Sequence, residues 1–297
     1  MLNFFEEKTS NQVDASVIWL HGLGASGKDF QGITKSLQLT ENSNIRFIFP
    51  DAPNIKITIN SNQIMPAWYD ISGTELTDRQ DESGIKKSEK EISELIYNEH
   101  KRGVEYNRII LAGFSQGSAM ALYTGLKFPE KLAGIIALSG YLPLDKEFRM
   151  NVFKINLGTP IFFGHGVFDE VVKLKWAKDS QSLLSDLGHI SHWNEYGIDH
   201  SISNEEINDI SFFTVFTNHN KFDNYYLSIH FGGGTGKLAY DPQTEDSVTD
   251  MIFGGFLGFN LKTPYFQNNG GLDLIMEYDG EGINAGFKLP ITDSYTI

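Results

Sequence analysis

The chain has 297 residues, 40% hydrophobic and 21% charged, which is enough apolar material for a sizeable buried core. A formal net charge of −14 disfavours nucleic acid and anionic lipid as electrostatic partners. No cysteine is present, which excludes a disulfide framework, a thiolate metal site and a cysteine nucleophile.

In chain order, the first ten residues lack the basic start and apolar run of a signal peptide. No stretch approaches 18 uninterrupted apolar residues, so a cytoplasmic location without a transmembrane helix is expected. Apolar runs rich in β-branched and aromatic residues occur at 16–20, 45–49, 108–111, 133–138, 160–163 and 192–196. Short, nearly all-apolar runs read as strands of a parallel sheet covered on both faces. Residues 85–100 put Ile85, Ile92, Leu95 and Ile96 on one face with Lys and Glu opposite, which predicts a helix. Residues 116–128, 171–187 and 204–216 predict three more helices. Asn204 followed by Glu205 and Glu206 suits a helix N-terminus, where acids favour the dipole. Repeated β-then-α order predicts an α/β fold with a mostly parallel central sheet flanked by helices.

Composition changes near residue 217. All five arginines precede that point, and beyond it ten acids stand against four lysines while 12 of the 29 glycines crowd in. Residues 218–224 read as a polar linker. Beyond them, 226–231, 252–261, 272–278 and 282–289 predict four strands, with Asp279-Gly280-Glu281-Gly282 as a hairpin turn. The expected organisation is an α/β domain over 1–217 and an antiparallel β-meander of about four strands over 225–297.

Gly113-Phe114-Ser115-Gln116-Gly117 follows one predicted strand and opens a predicted helix, the setting of a nucleophile elbow. Serine on so sharp a turn forces neighbouring backbones together, and a Cβ at either flanking glycine would collide. Ser115 is therefore the candidate nucleophile. It needs a base and an orienting acid, in the chain order serine, acid, histidine, from loops at the C-terminal ends of strands.

The downstream histidines are His165, His189, His192, His200, His219 and His230. His200 stands between the strand at 192–196 and the last predicted helix, which is where the base belongs. His165, between two glycines, reads as a structural turn residue, and His189 and His192 flank the start of a strand. Asp169, just past the strand at 160–163, is the candidate acid. Asp179 and Asp186 fall inside a predicted helix, and Asp199 is adjacent to His200, where side chains seldom converge. The Gly-rich turn His21-Gly22-Leu23-Gly24 offers the Leu23 N–H, which with the Gln116 N–H makes a candidate oxyanion hole. His21 itself reads as holding that loop.

Together these pieces resemble the phospholipase/carboxylesterase family, which includes acyl-protein thioesterases. The resemblance is carried by Leu20-His21-Gly22-Leu23-Gly24, Phe49-Pro50-Asp51-Ala52-Pro53, Ala67-Trp68-Tyr69-Asp70, the elbow and Leu138-Ser139-Gly140-Tyr141. Gly164-His165-Gly166, Asp169 with Val171-Val172, and His200-Ser201 complete it, in order across about residues 13–215. It implies a compact hydrolase acting on esters or thioesters without metal or cofactor, with Ser115, Asp169 and His200 as the triad. It also implies an acyl channel near Leu23 and a flap-like segment 55–68, with Trp68 and Val172 as substrate-binding residues. Lys173 stands where the family commonly has proline.

The function expected is a serine hydrolase cleaving carboxylic esters or thioesters through an acyl-enzyme intermediate. A lysophospholipase or acyl-protein thioesterase acting on long-chain substrates is the alternative. Its partner would be a small-molecule or lipid-like acyl ester or thioester, with peripheral membrane contact and no nucleic acid. A reading of another class is a membrane-associated binding module carrying a vestigial hydrolase. For that reading, the tail resembles part of a small outer-membrane β-barrel, although such barrels need about eight strands.

Overall fold

The computed structural model describes residues 2–37, 39, 43–75, 80–151 and 153–218, and, further on, 226–234, 254–263, 272–278, 283–288, 290–292 and 295–296. The chain divides into two compact units, Met1–Asn218 and His219–Ile297.

The first unit contains β1 (Phe4–Lys8), β2 (Ala15–Leu20) and β3 (Ile45–Pro50), then β4 (Asn54–Ile57) and β5 (Gln63–Pro66). They are followed by β6 (Ile109–Phe114), β7 (Gly134–Leu138), β8 (Ile161–Gly166) and β9 (Ser191–Tyr196). Its helices are α1 (Ile33–Ser36), α2 (Glu82–Lys101), α3 (Gln116–Lys127), α4 (Asp145–Met150), α5 (Leu174–Asp186) and α6 (Asn204–Asn218). Seven strands form one sheet in the order β1-β3-β2-β6-β7-β8-β9. Only β1 runs antiparallel, against β3; the other neighbours are parallel, and β4 and β5 form a separate hairpin. This is the mostly parallel α/β sheet expected from the repeated β-then-α order, in the α/β-hydrolase arrangement that the elbow and the family resemblance implied.

The strands read as unbroken apolar runs because each feeds two cores. In β2, Ala15, Val17 and Trp19 face one cluster while Ile18 and Leu20 face the other. The same two-residue alternation divides Ile110 and Ala112 from Ile109 and Leu111, and Ile136 and Leu138 from Ile135 and Ala137. One cluster is closed by α2, α3 and α5 through residues such as Ile92, Met120 and Leu184, the other by Ile210 and Phe213 of α6. Every residue of α3 from Gln116 to Leu126 is buried. That helix seats the site.

Several elements differ from the sequence expectation. β1 is an edge strand with no fully buried residue, and it carries Glu6, Glu7 and Lys8, so no apolar run announces it. β8 runs on to Gly166, which places His165 inside a strand rather than in a turn. The helix expected over 171–187 begins at Leu174, because Lys173 is extended at φ −56 and ψ 129, after a turn in which the Val171 and Val172 N–H groups donate to Asp169. The cap of α6 is Ser203, whose Oγ accepts from the Glu206 N–H at 3.0 Å, and Asn204 is the first helical residue.

In the second unit β10 (Tyr226–Gly234), β11 (Gly254–Thr263), β12 (Leu272–Tyr278) and β13 (Ile283–Lys288) form a four-stranded antiparallel meander. The register aligns Leu227, Leu261, Leu274 and Phe287 in one row across it. β14 (Pro290–Thr292) and β15 (Tyr295–Thr296) pair separately. Asn218 closes α6, while the rest of the expected linker and the turn at 279–282 lie outside the described residues.

Candidate active site

β6 ends at Phe114 and α3 begins at Gln116, so Ser115 alone makes the turn, at φ 56 and ψ −119. A serine at positive φ is strained, and the surroundings must hold it there. Its N–H donates to the Leu138 carbonyl at the end of β7, 2.9 Å away. A Cβ on Gly113 would strike the Gly117 carbonyl, and one on Gly117 would strike the Leu20 and His21 carbonyls. Both flanking positions therefore require glycine, and the elbow can pack against β2 only on that condition.

Three loops at the C-terminal ends of strands converge on this turn. The loop after β9 brings His200 Nε2 to 2.9 Å from Ser115 Oγ. The loop after β8 brings Asp169 Oδ2 to 2.7 Å from His200 Nδ1. The remaining Asp169 oxygen accepts from the Val171 and Val172 N–H groups at 2.9 and 2.8 Å. Burial pushes the Asp169 carboxyl up, but the hydrogen bonds from His200 and the Val172 amide outweigh it and hold the group below the usual carboxylate range. Phe114 backs the His200 ring, with centroids 4.8 Å apart. Two of the acids set aside in the sequence are occupied elsewhere: Asp179 pairs with Lys175, and Asp199 accepts from Ser201. His189 and His192 lie at the start of β9, His230 is in the second unit, and His219 lies outside the described residues.

The loop after β2 carries Leu23. Leu23, Ser115 and Gln116 together line a cavity of about 270 Å³. Gln116 is the first residue of α3, and the first N–H groups of a helix have no intrahelical acceptor. The rest of the cavity wall is mainly apolar, from Ile59, Ile71, Val171 and Val172, with Tyr69 and Tyr141. Those two hydroxyls are 3.1 Å apart, and burial pushes the Tyr141 phenol up to about 12, so both are neutral donors at neutral pH.

Val172 lines this cavity, and Trp68 does not. Trp68 is 1% exposed and does not line the cavity; its neighbour Tyr69 does. The reason is hydrogen bonding: the Trp68 indole N–H donates to the His21 carbonyl at 2.8 Å, which turns the ring under the loop after β2. Tyr69 and Tyr141 stood in the sequence only as parts of the family motifs, and Ile71 went unmarked, because a single apolar residue in a loop carries no periodic signal. His165, set aside as a turn residue, is buried beside Asp169, with Nε2 2.8 Å from the Val172 carbonyl and 3.5 Å from Asp169 Oδ2.

An α/β-hydrolase sheet with a serine, a histidine and an aspartate in this contact defines a serine hydrolase of esters or thioesters. The family described as Phospholipase/Carboxylesterase matches residues 3–218. The chain belongs to that family. It is 40% identical over 208 residues to acyl-protein thioesterase 1 of Neurospora crassa, covering 67% of this chain and 85% of that one. Against acyl-protein thioesterase 1 of Yarrowia lipolytica it is 37% identical over 201 residues, covering 66% and 88%. The crystal structure of Arabidopsis thaliana SOBER1 superposes with a TM-score of 0.65 at 29% identity, over 68% of this chain and 98% of that chain. That of Zea mays acyl-protein thioesterase 2 superposes at 0.64 with 23% identity, over 73% and 100%, which is a likeness of fold. The family match ends at residue 218, so nothing in it supports a likeness of the tail to an outer-membrane barrel. No helix among the described residues is long and apolar enough to cross a membrane.

Proposed function

We propose that the chain is a cytoplasmic acyl-protein thioesterase-type hydrolase, in which Ser115 is the nucleophile, His200 the general base and Asp169 the orienting acid. The observation that carries this is the position of His200, within hydrogen-bond reach of Ser115 on one side and Asp169 on the other, beside an apolar cavity. His200 takes the Ser115 proton as Oγ attacks the acyl carbonyl, and Asp169 stabilises the imidazolium that forms. The oxyanion is held by the Leu23 and Gln116 N–H groups, aided by the N-terminal dipole of α3. The proton then passes to the leaving thiol or alcohol, and water activated by His200 releases the acid.

The wall of Ile59, Ile71, Val171 and Val172 suits the hydrocarbon of a lipid-like acyl group. Ile64 on β5 and Phe168 in the loop after β8 are 62% and 67% exposed, which suits peripheral contact with the surface from which such a group is drawn. In the same reading residues 1–217 are the hydrolase domain, 218–224 a linker, and 225–297 a fused β-rich module with no part in catalysis.

Fluorophosphonate labelling of the full chain, with mapping of the modified residue, tests the assignment: the label belongs on Ser115. Ser115→Ala should lower kcat by about 10⁶, as in other triads. Retained turnover in that variant would refute the role. Measuring kcat/KM on one acyl group as ester and as thioester, across chain lengths, tests the substrate. A preference for two- to four-carbon acyl groups would replace the thioesterase reading with a short-chain carboxylesterase.

A further inference from the structure

We infer that Trp68 and His21 are positioning residues that hold the two halves of the oxyanion hole in one rigid assembly, an inference that rests on the roles given above to Leu23 and Gln116.

Each polar group of Trp68 is engaged. Its indole N–H donates to the His21 carbonyl at 2.8 Å, its amide N–H donates to Gln116 Oε1 at 2.9 Å, and its carbonyl accepts from Ser88 Oγ. Gln116 Nε2 returns to the Tyr69 carbonyl at 2.7 Å. The side chain of one oxyanion donor's residue is therefore tied to the backbone at 68–69, while the indole of Trp68 is tied to the loop carrying the other donor.

His21 completes the assembly. It is fully buried, and its Nε2 accepts from the Ala52 N–H at 2.9 Å. An Nε2 that accepts from an amide carries no proton, so the proton is on Nδ1, which donates to the Gly22 carbonyl at 2.7 Å. Burial lowers the His21 pKa and keeps this neutral tautomer in place.

In a trans peptide the N–H points opposite to the C=O of the same unit. Holding the Gly22 carbonyl therefore aims the Leu23 N–H, and holding the His21 carbonyl fixes the peptide before it. The pins matter because this stretch is glycine. A Cβ on Gly22 would lie 3.3 Å from Ser115 Cβ, so the close approach favours glycine, and Gly24 sits at φ 75. Glycine on both sides of Leu23 lowers the backbone's own resistance to a peptide flip, so the His21 imidazole adds to the backbone bonds that hold this turn, Ala25 N–H to the Gly22 carbonyl at 3.2 Å and Gly24 N–H to the Pro66 carbonyl at 2.8 Å. Charge develops on the substrate oxygen only in the tetrahedral state, so a misaimed donor lowers kcat and leaves ground-state binding intact.

The test uses the purified full chain and a p-nitrophenyl ester. Trp68→Phe keeps a ring in place but removes the indole donor. It should lower kcat by about 10- to 100-fold with KM within about twofold. Affinity for an alkyl boronic acid, whose tetrahedral adduct places an oxyanion in the hole, should fall in parallel with kcat. His21→Asn, whose amide can still donate to the Gly22 carbonyl, should retain more kcat than His21→Leu. That pair decides the matter if Trp68→Phe does not fold. Unchanged kcat in folded Trp68→Phe, equal loss in His21→Asn and His21→Leu, or a boronate affinity unmoved by loss of kcat would each overturn the inference. Failure of the Ser115 assignment is separately visible, as labelling of another residue in the unaltered protein.

Discussion

The imidazole of His165 lies beside the carboxylate of Asp169, with Nε2 3.5 Å from Oδ2 and 2.8 Å from the Val172 carbonyl. The turn that carries the acid is thereby closed from both ends, since Asp169 Oδ1 accepts from Val171 and Val172 while His165 holds the carbonyl of Val172. The acid is held by this closed turn as well as by its contact with His200. Burial keeps the His165 pKa low, so the imidazole is neutral and adds no competing charge. His165→Leu is expected to lower kcat by about 10-fold or more through misplacement of Asp169. His165→Gln, which can place an amide N–H near the position of Nε2, should recover most of it. Steady-state kinetics on folded protein checks this, and equal kcat for the unaltered protein and His165→Leu would remove the role.

Gly117 is where the elbow meets β2. A Cβ there would run into the carbonyls of Leu20 and His21, and those groups are backbone in a buried strand and its following loop. Gly117→Ala should destabilise the fold by about 2 kcal/mol or more and reduce turnover by at least about 10²-fold, because relief requires the elbow and the end of β2 to move apart, which displaces Ser115 from the loop carrying Leu23. Urea unfolding together with kcat measures both effects. An alanine variant with unaltered unfolding midpoint and turnover would show that the elbow is looser than its geometry.

Glu206 presents a pH-dependent cost. It is 1% exposed, the Ser203 backbone lies near enough to its carboxyl to offset only part of the cost of burial, and a Cβ on Gly164 would meet it. Burial, with the nearby charge of Asp209, pushes its carboxyl from 4.5 up to about 7. The folded state then holds a proton that the unfolded chain has released, so stability falls as pH rises from about 4.5 to about 7 and the full cost remains above that. Glu206→Gln should match the unaltered protein near pH 4 and exceed it by about 3 kcal/mol near pH 8, with the difference growing in between. A difference in urea stability that is flat with pH would contradict this.

Lys173 pairs with Glu75 at 2.7 Å, both about half exposed, and its ammonium lies 5.0 Å from the Trp176 ring centroid. The residues just before each partner, Val172 and Thr74, line the cavity, so the pair joins two of its walls. An exposed pair contributes at most about 1 kcal/mol, and Lys173→Met should leave the unfolding midpoint nearly unchanged. The ratio of kcat/KM for long against short acyl esters should nonetheless change severalfold as that wall loosens. An unchanged ratio would show that the wall stands without the pair.

The inner strands of the main sheet were legible because the two-sided sheet leaves its mark in them: Val17 and Ile18, or Ile135 and Ile136, serve opposite cores and so both must be apolar. β1 was not legible, since an edge strand half open to water can carry Glu6, which here pairs with Arg102 at 2.6 Å. His165 was misread for a related reason. Glycine on each side suggests a turn, whereas here Gly164 leaves room for Glu206 and Gly166 for the carbonyls of Ile198 and Asp199. Trp68, which the family resemblance placed at the substrate, lies outside the cavity lining, and nothing local in the sequence reveals that its indole N–H is committed to His21.

By itself the amino-acid sequence determined the alternation of six parallel strands with the longer helices, the elbow at Ser115, and the succession of Ser115, Asp169 and His200. These follow from local chemistry: apolar runs, glycines where a Cβ cannot fit, and polar residues just past strand ends. Tertiary structure alone decided which side chains close the cavity, that the Trp68 indole lies beneath the loop carrying Leu23, and that His165 lies against Asp169. Those outcomes depend on contacts between segments far apart in the chain, such as Trp68 with His21 and Gln116. A hydrogen bond between distant segments is specified by how strands stack and loops converge, and no periodicity within either segment encodes it.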